Sequence, residues 1–199
     1  SAGSSHRGAV DIKDLDASQT GKEAAKLAVD SQNPVDIDPG KYEVILGHEA
    51  VSTILVFLSV YGLNAKSKID GMSPIVLNEN QFDEKINLTD TPEDDKSIGF
   101  KIDASGAKKY NLEVIKNGVP KTYFHTRRTS KELDMENTQH EAFGVDEYFG
   151  GIGTNLNLDK GDTSHDDMIS SIKKGIYITS SFAFNNSVFS ANINSSSIF

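Results

Sequence analysis

The chain of 199 residues suits one large domain or two small ones, and it is long enough to bury a core. Its formal net charge of −9 excludes the broad basic face that nucleic-acid binding needs, and the local pairs Lys108-Lys109 and Arg127-Arg128 read as solvated strand edges or loops. The absence of cysteine removes disulfides, thiolate nucleophiles and Cys-ligated zinc together and fits a reducing cytoplasm, while the longest apolar run, 54–58, is far too short to cross a bilayer.

Residues 1–8 are small and polar and read as a linker. A helix is expected over 14–32, with Ala24, Ala25, Leu27, Ala28 and Val29 as its packing face. Thr20 and Glu23 have capping-box spacing, and Asn33-Pro34 ends the helix. After the turn Asp38-Pro39-Gly40, residues 42–46 have the β-branched and aromatic content of a strand. A second helix is expected over 48–61. Val51, Ile54, Leu55, Leu58 and Tyr61 recur at three- and four-residue spacing, Val56, Phe57 and Val60 widen the stripe, and Gly62 supplies the stop. So much apolar surface predicts a buried helix.

The middle of the chain reads as a meander. Short strands are expected at 75–77, 85–88, 97–102, 110–116 and 119–125, with an acidic solvated loop at 90–95. Asn117-Gly118 is the strongest hairpin signal, because both residues tolerate the positive φ of a type I′ turn. Pro120 places its strand at an edge. Residues 129–154 carry four glycines from Gly144 to Gly153 and read as a loop, either a lid or binding loop or disordered. A strand at 155–158 follows. Thr163 and Asp166 then form a cap-like pair before a helix at 166–174, and strands are expected at 176–180 and 182–193.

This pattern predicts an α+β fold, mainly an antiparallel sheet or meander with a buried central helix and two further helices. One domain is expected over 1–199, with a linker and helix at 1–35 and a β-rich core at 36–199. Both ends read as cut from a longer protein.

The chemistry-bearing stretch is 41–62, where a strand-like run stops at Gly47 and a helix-like run opens on His48-Glu49. A His-Glu pair on a helix is how many zinc peptidases begin their metal site, the Glu deprotonating a metal-bound water. Here Ser52 stands four residues after His48 and Thr53 five after it, so the second histidine is absent. Read from the residues alone, His48-Glu49 is first a helix start at which the dipole favours an acid.

Several fragments in colinear order extend the reading. They are Asp38-Pro39-Gly40-Lys41-Tyr42-Glu43-Val44, Gly71-Met72-Ser73, Thr91-Pro92-Glu93-Asp94-Asp95, and the Phe100, Asp103, Gly106 turn. Val114-Ile115-Lys116-Asn117-Gly118-Val119, Asn155-Leu156, Lys160-Gly161-Asp162 and Ile172-Lys173-Lys174-Gly175-Ile176-Tyr177-Ile178 follow. In this order they resemble the C-terminal part of the TldD/PmbA (TldE) family, once called modulators of DNA gyrase. The resemblance implies a cytoplasmic peptidase system acting on unstructured peptides. TldD-type subunits carry His-Glu-x-x-x-His and a later Cys ligand, and PmbA-type partners lack that set. His48 as metal ligand and Glu49 as catalytic base match the first two positions, while Thr53 takes the place of the second His. The resemblance therefore implies a PmbA-like or divergent member, one half of a homo- or heterodimer with a TldD-type subunit. Zinc is the family's cofactor, and the ligand set for it is incomplete in this chain. The alternatives are an active metallopeptidase in which His48 and Glu49 recruit further ligands from His125, His140, His165 or carboxylates, and a peptide-binding module without hydrolytic role.

Other candidates carry less. Gln139-His140-Glu141 is a second His-Glu pair, expected to face solvent, and His165-Asp166-Asp167 reads as a helix cap. No G-x-S-x-G elbow occurs. Gly150-Gly151-Ile152-Gly153 lacks the Lys-Ser/Thr of a phosphate loop.

Overall fold

The computed structural model describes residues 2–97, 99–144, 147–182 and 192–198. The fold is α+β, with five α-helices and two sheets among the described residues. The chain divides into two compact units, Ser1–Ile54 with Asp162–Phe199, and Leu55–Gly161.

In the first unit, α1 (Ala17–Asp30) starts three residues later than expected, because the Asp16 carboxylate caps it by accepting from Gln19 N–H at 2.8 Å. It ends just before Asn33, whose φ of 54° is left-handed and which precedes Pro34. No α1 residue is fully buried. Part of its surface is lined by the N-terminal segment, where Arg7 and Ser5 both bond Glu23. β1 (Glu43–Leu46) runs parallel to β6 (Gly175–Phe182), and β7 (Asn192–Ile198) pairs antiparallel with β6. Ala50, Ile176 and Ile178 form this unit's small core, with Tyr42 against it. The expected strand over 182–193 falls largely on residues outside those described. α5 (His165–Ser171) is capped by Ser164, not Thr163, since the Ser164 hydroxyl accepts from Asp167 N–H at 3.1 Å.

α2 (His48–Phe57) begins in the first unit and ends in the second, where a π-helical turn, Leu58–Gly62, follows it. It is less buried than its apolar content predicts. Only Ala50 is enclosed, while Ile54 and Val56 are 49% and 58% exposed. Apolar side chains surround the helix, and each small core takes only part of that circumference.

The second unit is built on four antiparallel strands in the order β4 (Val119–Pro120), β3 (Leu112–Lys116), β2 (Leu88–Asp90), β5 (Leu156–Leu158). Asn117 and Gly118, at φ 48° and 76°, make the tight turn between β3 and β4. Leu63, Leu88, Val114, Ile115, Tyr123 and Phe124 are the centre of the core. The strand expected at 75–77 does not form, and among the described residues of 97–102 only Ile102 makes a β-bridge, to Lys108. Around Ile75 the backbone is satisfied by side chains instead: Ser73 Oγ accepts from Ile75 N–H, and Gln81 bonds both Val76 N–H and the Pro74 carbonyl. Of 119–125, only the first two residues join the ladder.

The segment 129–154 is not all loop among the described residues. α4 (Arg127–Glu132) opens it with a capping box between Thr126 and Thr129. The glycines near its end let the backbone press on the core. A Cβ at Gly151 would stand 2.4 Å from the Phe124 carbonyl oxygen. Ile152 N–H bonds the His140 carbonyl, and Gly153 N–H bonds Ser59 Oγ. A short α3 (Ala65–Ile69), capped by Asn64, completes the unit. No described helix is long and apolar enough to cross a membrane.

Candidate functional site

The helix entrance is positioned by a close approach of strand and turn. Gly47 N–H donates to the Ile178 carbonyl at 2.8 Å, and a Cβ on Gly47 would lie 3.0 Å from the Thr179 carbonyl and 3.1 Å from the Tyr177 hydroxyl. The Gly47 carbonyl then accepts the first helical bond, from Val51 N–H. His48 is consequently delivered to the surface, and Glu49 is half-buried beside it. The Glu49 carboxylate lies 3.2 Å from Nδ1 of His6 in the N-terminal segment. The Thr53 hydroxyl donates to the Glu49 carbonyl at 3.0 Å, a back-bond typical of threonine inside a helix.

A catalytic zinc needs three protein ligands. At this entrance the imidazole of His48 is one donor, and the second ligand position carries a hydroxyl already engaged with backbone. Among the described residues, no three His, Asp or Glu side chains stand close enough together to hold a metal ion. The described residues therefore do not fit a zinc ion. Of the histidines named as further ligands for the alternative, His165 is half-exposed at the start of α5, edge-on to Tyr177, while His125 and His140 are buried in the second unit.

Residues 39–197 match the model for the PmbA/TldA metallopeptidase C-terminal domain. The chain belongs to the PmbA/TldD family. Among its relatives, a metalloprotease of Methanothermobacter thermautotrophicus is 24% identical over 173 residues, covering 86% of this chain and 37% of that protein. A metalloprotease of Methanocaldococcus jannaschii is 26% identical over 146 residues, covering 71% of this chain and 32% of the relative. The chain thus spans only 24% to 37% of the length of the curated relatives it matches. TldE from Thermococcus kodakarensis shares the fold with a TM-score of 0.75 at 19% identity, over 86% of this chain and 40% of TldE. A provisionally named modulator of a DNA gyrase from Thermotoga maritima shares it at 0.77 and 24%, over the same shares of each chain.

Within this PmbA/TldD domain, the most concentrated buried chemistry lies elsewhere, in the second unit. Asp90, Lys109 and His140 are at most 2% exposed and meet at one carboxylate. Asp90 Oδ1 accepts from the backbone N–H groups of Asn155 at 2.7 Å and Thr154 at 3.1 Å. Asp90 Oδ2 receives the Lys109 ammonium at 2.9 Å and lies 3.2 Å from His140 Nε2. Burial alone would push the Asp90 carboxyl up, but His140 and Lys109 more than reverse this and hold it well below the usual carboxylate range. Burial pushes His140 down, Lys109 adds to that, and Asp90 only partly opposes it.

The His140 ring is oriented from its other side. Nδ1 lies 2.6 Å from the Thr138 carbonyl, which can only accept, so Nδ1 carries the proton of the neutral ring. Nε2 faces Asp90 Oδ2 at 3.2 Å and is the atom that gains a proton as pH falls.

Three expectations are corrected here. Lys109 is not a solvated edge residue, although Lys108 is, with its side chain 80% exposed. His140 does not face solvent, and Asp90 is not part of a solvated acidic loop. The reason is shared: each charge is desolvated against the others, which no single one could sustain alone. One signal was available, since Asp90 sits two residues after Leu88 and so shares its inward face in β2.

Proposed function

We propose that this chain is part of a PmbA/TldD-type zinc metallopeptidase system that acts on unstructured peptides in the cytoplasm, as the half that does not hold the metal. The observation that carries this reading is the donor set at the start of α2. His48 and Glu49 occupy the first two positions of the family's motif, and Thr53 stands where the second histidine would be, with its hydroxyl on the Glu49 carbonyl.

In this reading the chain is one PmbA-like C-terminal domain that presents substrate, and a TldD-type subunit supplies the zinc and the attacking water. An extended peptide would add to a sheet edge through backbone hydrogen bonds, which suits substrates of varied sequence. β1 is an outer strand of its sheet, and its Val44 and Leu46 are 45% and 40% exposed. Glu49 would take no proton from a metal-bound water in this half, and its carboxylate lies against His6 instead.

The test is metal content and reconstitution of the full-length protein. Protein purified without added zinc is expected to contain far less than one zinc per chain, unchanged by His48→Ala. Hydrolysis of an unfolded peptide is expected only after addition of a homologue carrying the complete His-Glu-x-x-x-His, and a chelator should abolish it. One zinc per chain that disappears in His48→Ala would establish an independently active metallopeptidase instead. No activity and no complex with that homologue would leave a peptide-binding module without hydrolytic role.

A further inference from the structure

The buried Asp90–Lys109–His140 cluster opens on one side into a cleft of about 220 Å³ that lies wholly within the second unit. Phe100 and Phe143 form one wall, with ring centroids 4.8 Å apart and planes at 47°, and they are 57% and 49% exposed. Ile102 and Ile152 extend the apolar lining, and the polar one includes Lys109 and Thr154 beside Asp103, His140 and Glu141.

The polar lining offers hydrogens. The Lys109 ammonium has three, of which one goes to Asp90 and one to Thr154 Oγ1 at 2.9 Å. Thr154 Oγ1 accepts from Lys109 and from Asn155 Nδ2, and its own hydrogen has no acceptor among the described residues. Two donors are therefore left to a ligand. The charge balance decides which ligand. Asp90 neutralises Lys109, and the carboxylates of Asp103 and Glu141 also line the cleft. Asp103 is itself held by N–H groups of Ser105, Ala107 and Glu141. A carboxylate entering this space would meet net negative charge, whereas an uncharged carbonyl would meet two donors.

Size narrows the occupant further. Sites for whole small molecules occupy roughly 300–1,000 Å³, so this one suits a single side chain. Tilted and offset rings are the arrangement aromatic groups prefer, and Phe100 and Phe143 leave faces open to a third. We infer that the cleft is a recognition pocket for one uncharged aromatic side chain of an unstructured peptide, whose flanking carbonyl is bonded by Thr154 and Lys109. Its choice of a peptide as ligand rests on the function proposed above; its geometry does not.

The chain contains no tryptophan, so a tryptophan ligand can be excited selectively. N-acetyl-tryptophanamide titrated with the chain is expected to show a saturable blue shift of its emission. N-acetyl-tryptophan, which differs by a free carboxylate, should bind roughly tenfold more weakly, and Phe143→Ala and Thr154→Val should each weaken the amide by roughly five- to tenfold. Phe143 is half-exposed, so the urea midpoint of Phe143→Ala should match the parent, whereas Thr154→Val also takes an acceptor from the buried Lys109 ammonium and should lower the midpoint while leaving the chain folded in the absence of urea. No saturable shift, equal or tighter binding of the carboxylate, or variants that bind the amide like the parent would each overturn the inference. Neither zinc nor a partner subunit enters this measurement, so its failure leaves the metallopeptidase reading to its own test.

Discussion

Lowering the pH from 7 to 5 should destabilise the second unit through His125, and the size of the effect follows from its surroundings. His125 is fully buried, its Nε2 has no hydrogen-bond partner among the described residues, and Nδ1 lies 3.4 Å from the Thr129 hydroxyl. Burial pushes it down from 6.5 to about 4, the Thr129 contact opposes this weakly, and nearby His140 adds to the lowering. A histidine whose folded value is depressed binds its proton more readily when unfolded. Its contribution is thus intact above about 6.5 and is lost as pH falls through that value toward 4. At about 1.4 kcal/mol per unit, the full loss is roughly 3 kcal/mol, of which roughly 2 kcal/mol falls between pH 7 and pH 5. His140, also depressed, acts in the same direction. Urea unfolding at half-unit pH steps measures this directly. His125→Phe keeps a ring of similar shape, edge-on to Tyr123, without the titration. Its stability at pH 7 should change by about 1 kcal/mol or less, and it should lose much less than the parent between pH 7 and 5. Identical pH slopes for parent and variant would refute the reasoning.

The Asp90 cluster should respond to single and paired substitution differently. Asp90→Asn leaves the Lys109 ammonium buried without its anion and should cost about 3–5 kcal/mol, whereas Asp90→Asn with Lys109→Met should cost less than the single change; a double variant as damaged as the single would show that the ion pair is not what the charge needs. Glycine positions separate by surroundings. Gly118→Ala would place a Cβ 2.3 Å from the Phe82 carbonyl oxygen at φ 76° and should destabilise by about 2 kcal/mol or more. Gly21→Ala, in the middle of α1 with nothing within 4 Å, should stabilise by roughly 0.5–1 kcal/mol, read from thermal unfolding.

Much of the local structure was legible in the amino-acid sequence because its causes are local. Asn117-Gly118 makes its turn because the backbone preferences of two adjacent residues suffice, and α1 ends before Asn33-Pro34 for the same kind of reason. The start of α2 at His48 follows from Gly47, and the order of the family's fragments along the chain was enough to recognise the PmbA/TldD resemblance that the family model bears out. Tertiary structure alone decided what became of the charges and of the short strands. The parallel pairing of β1 with β6 joins segments from opposite ends of the chain, and neither records its partner in its own pattern. The 75–77 run forgoes a ladder because Ser73 and Gln81 satisfy its backbone. Lys109, Asp90 and His140 look individually like surface residues. Their burial is sustained only by one another, and that mutual compensation exists only once three distant segments meet.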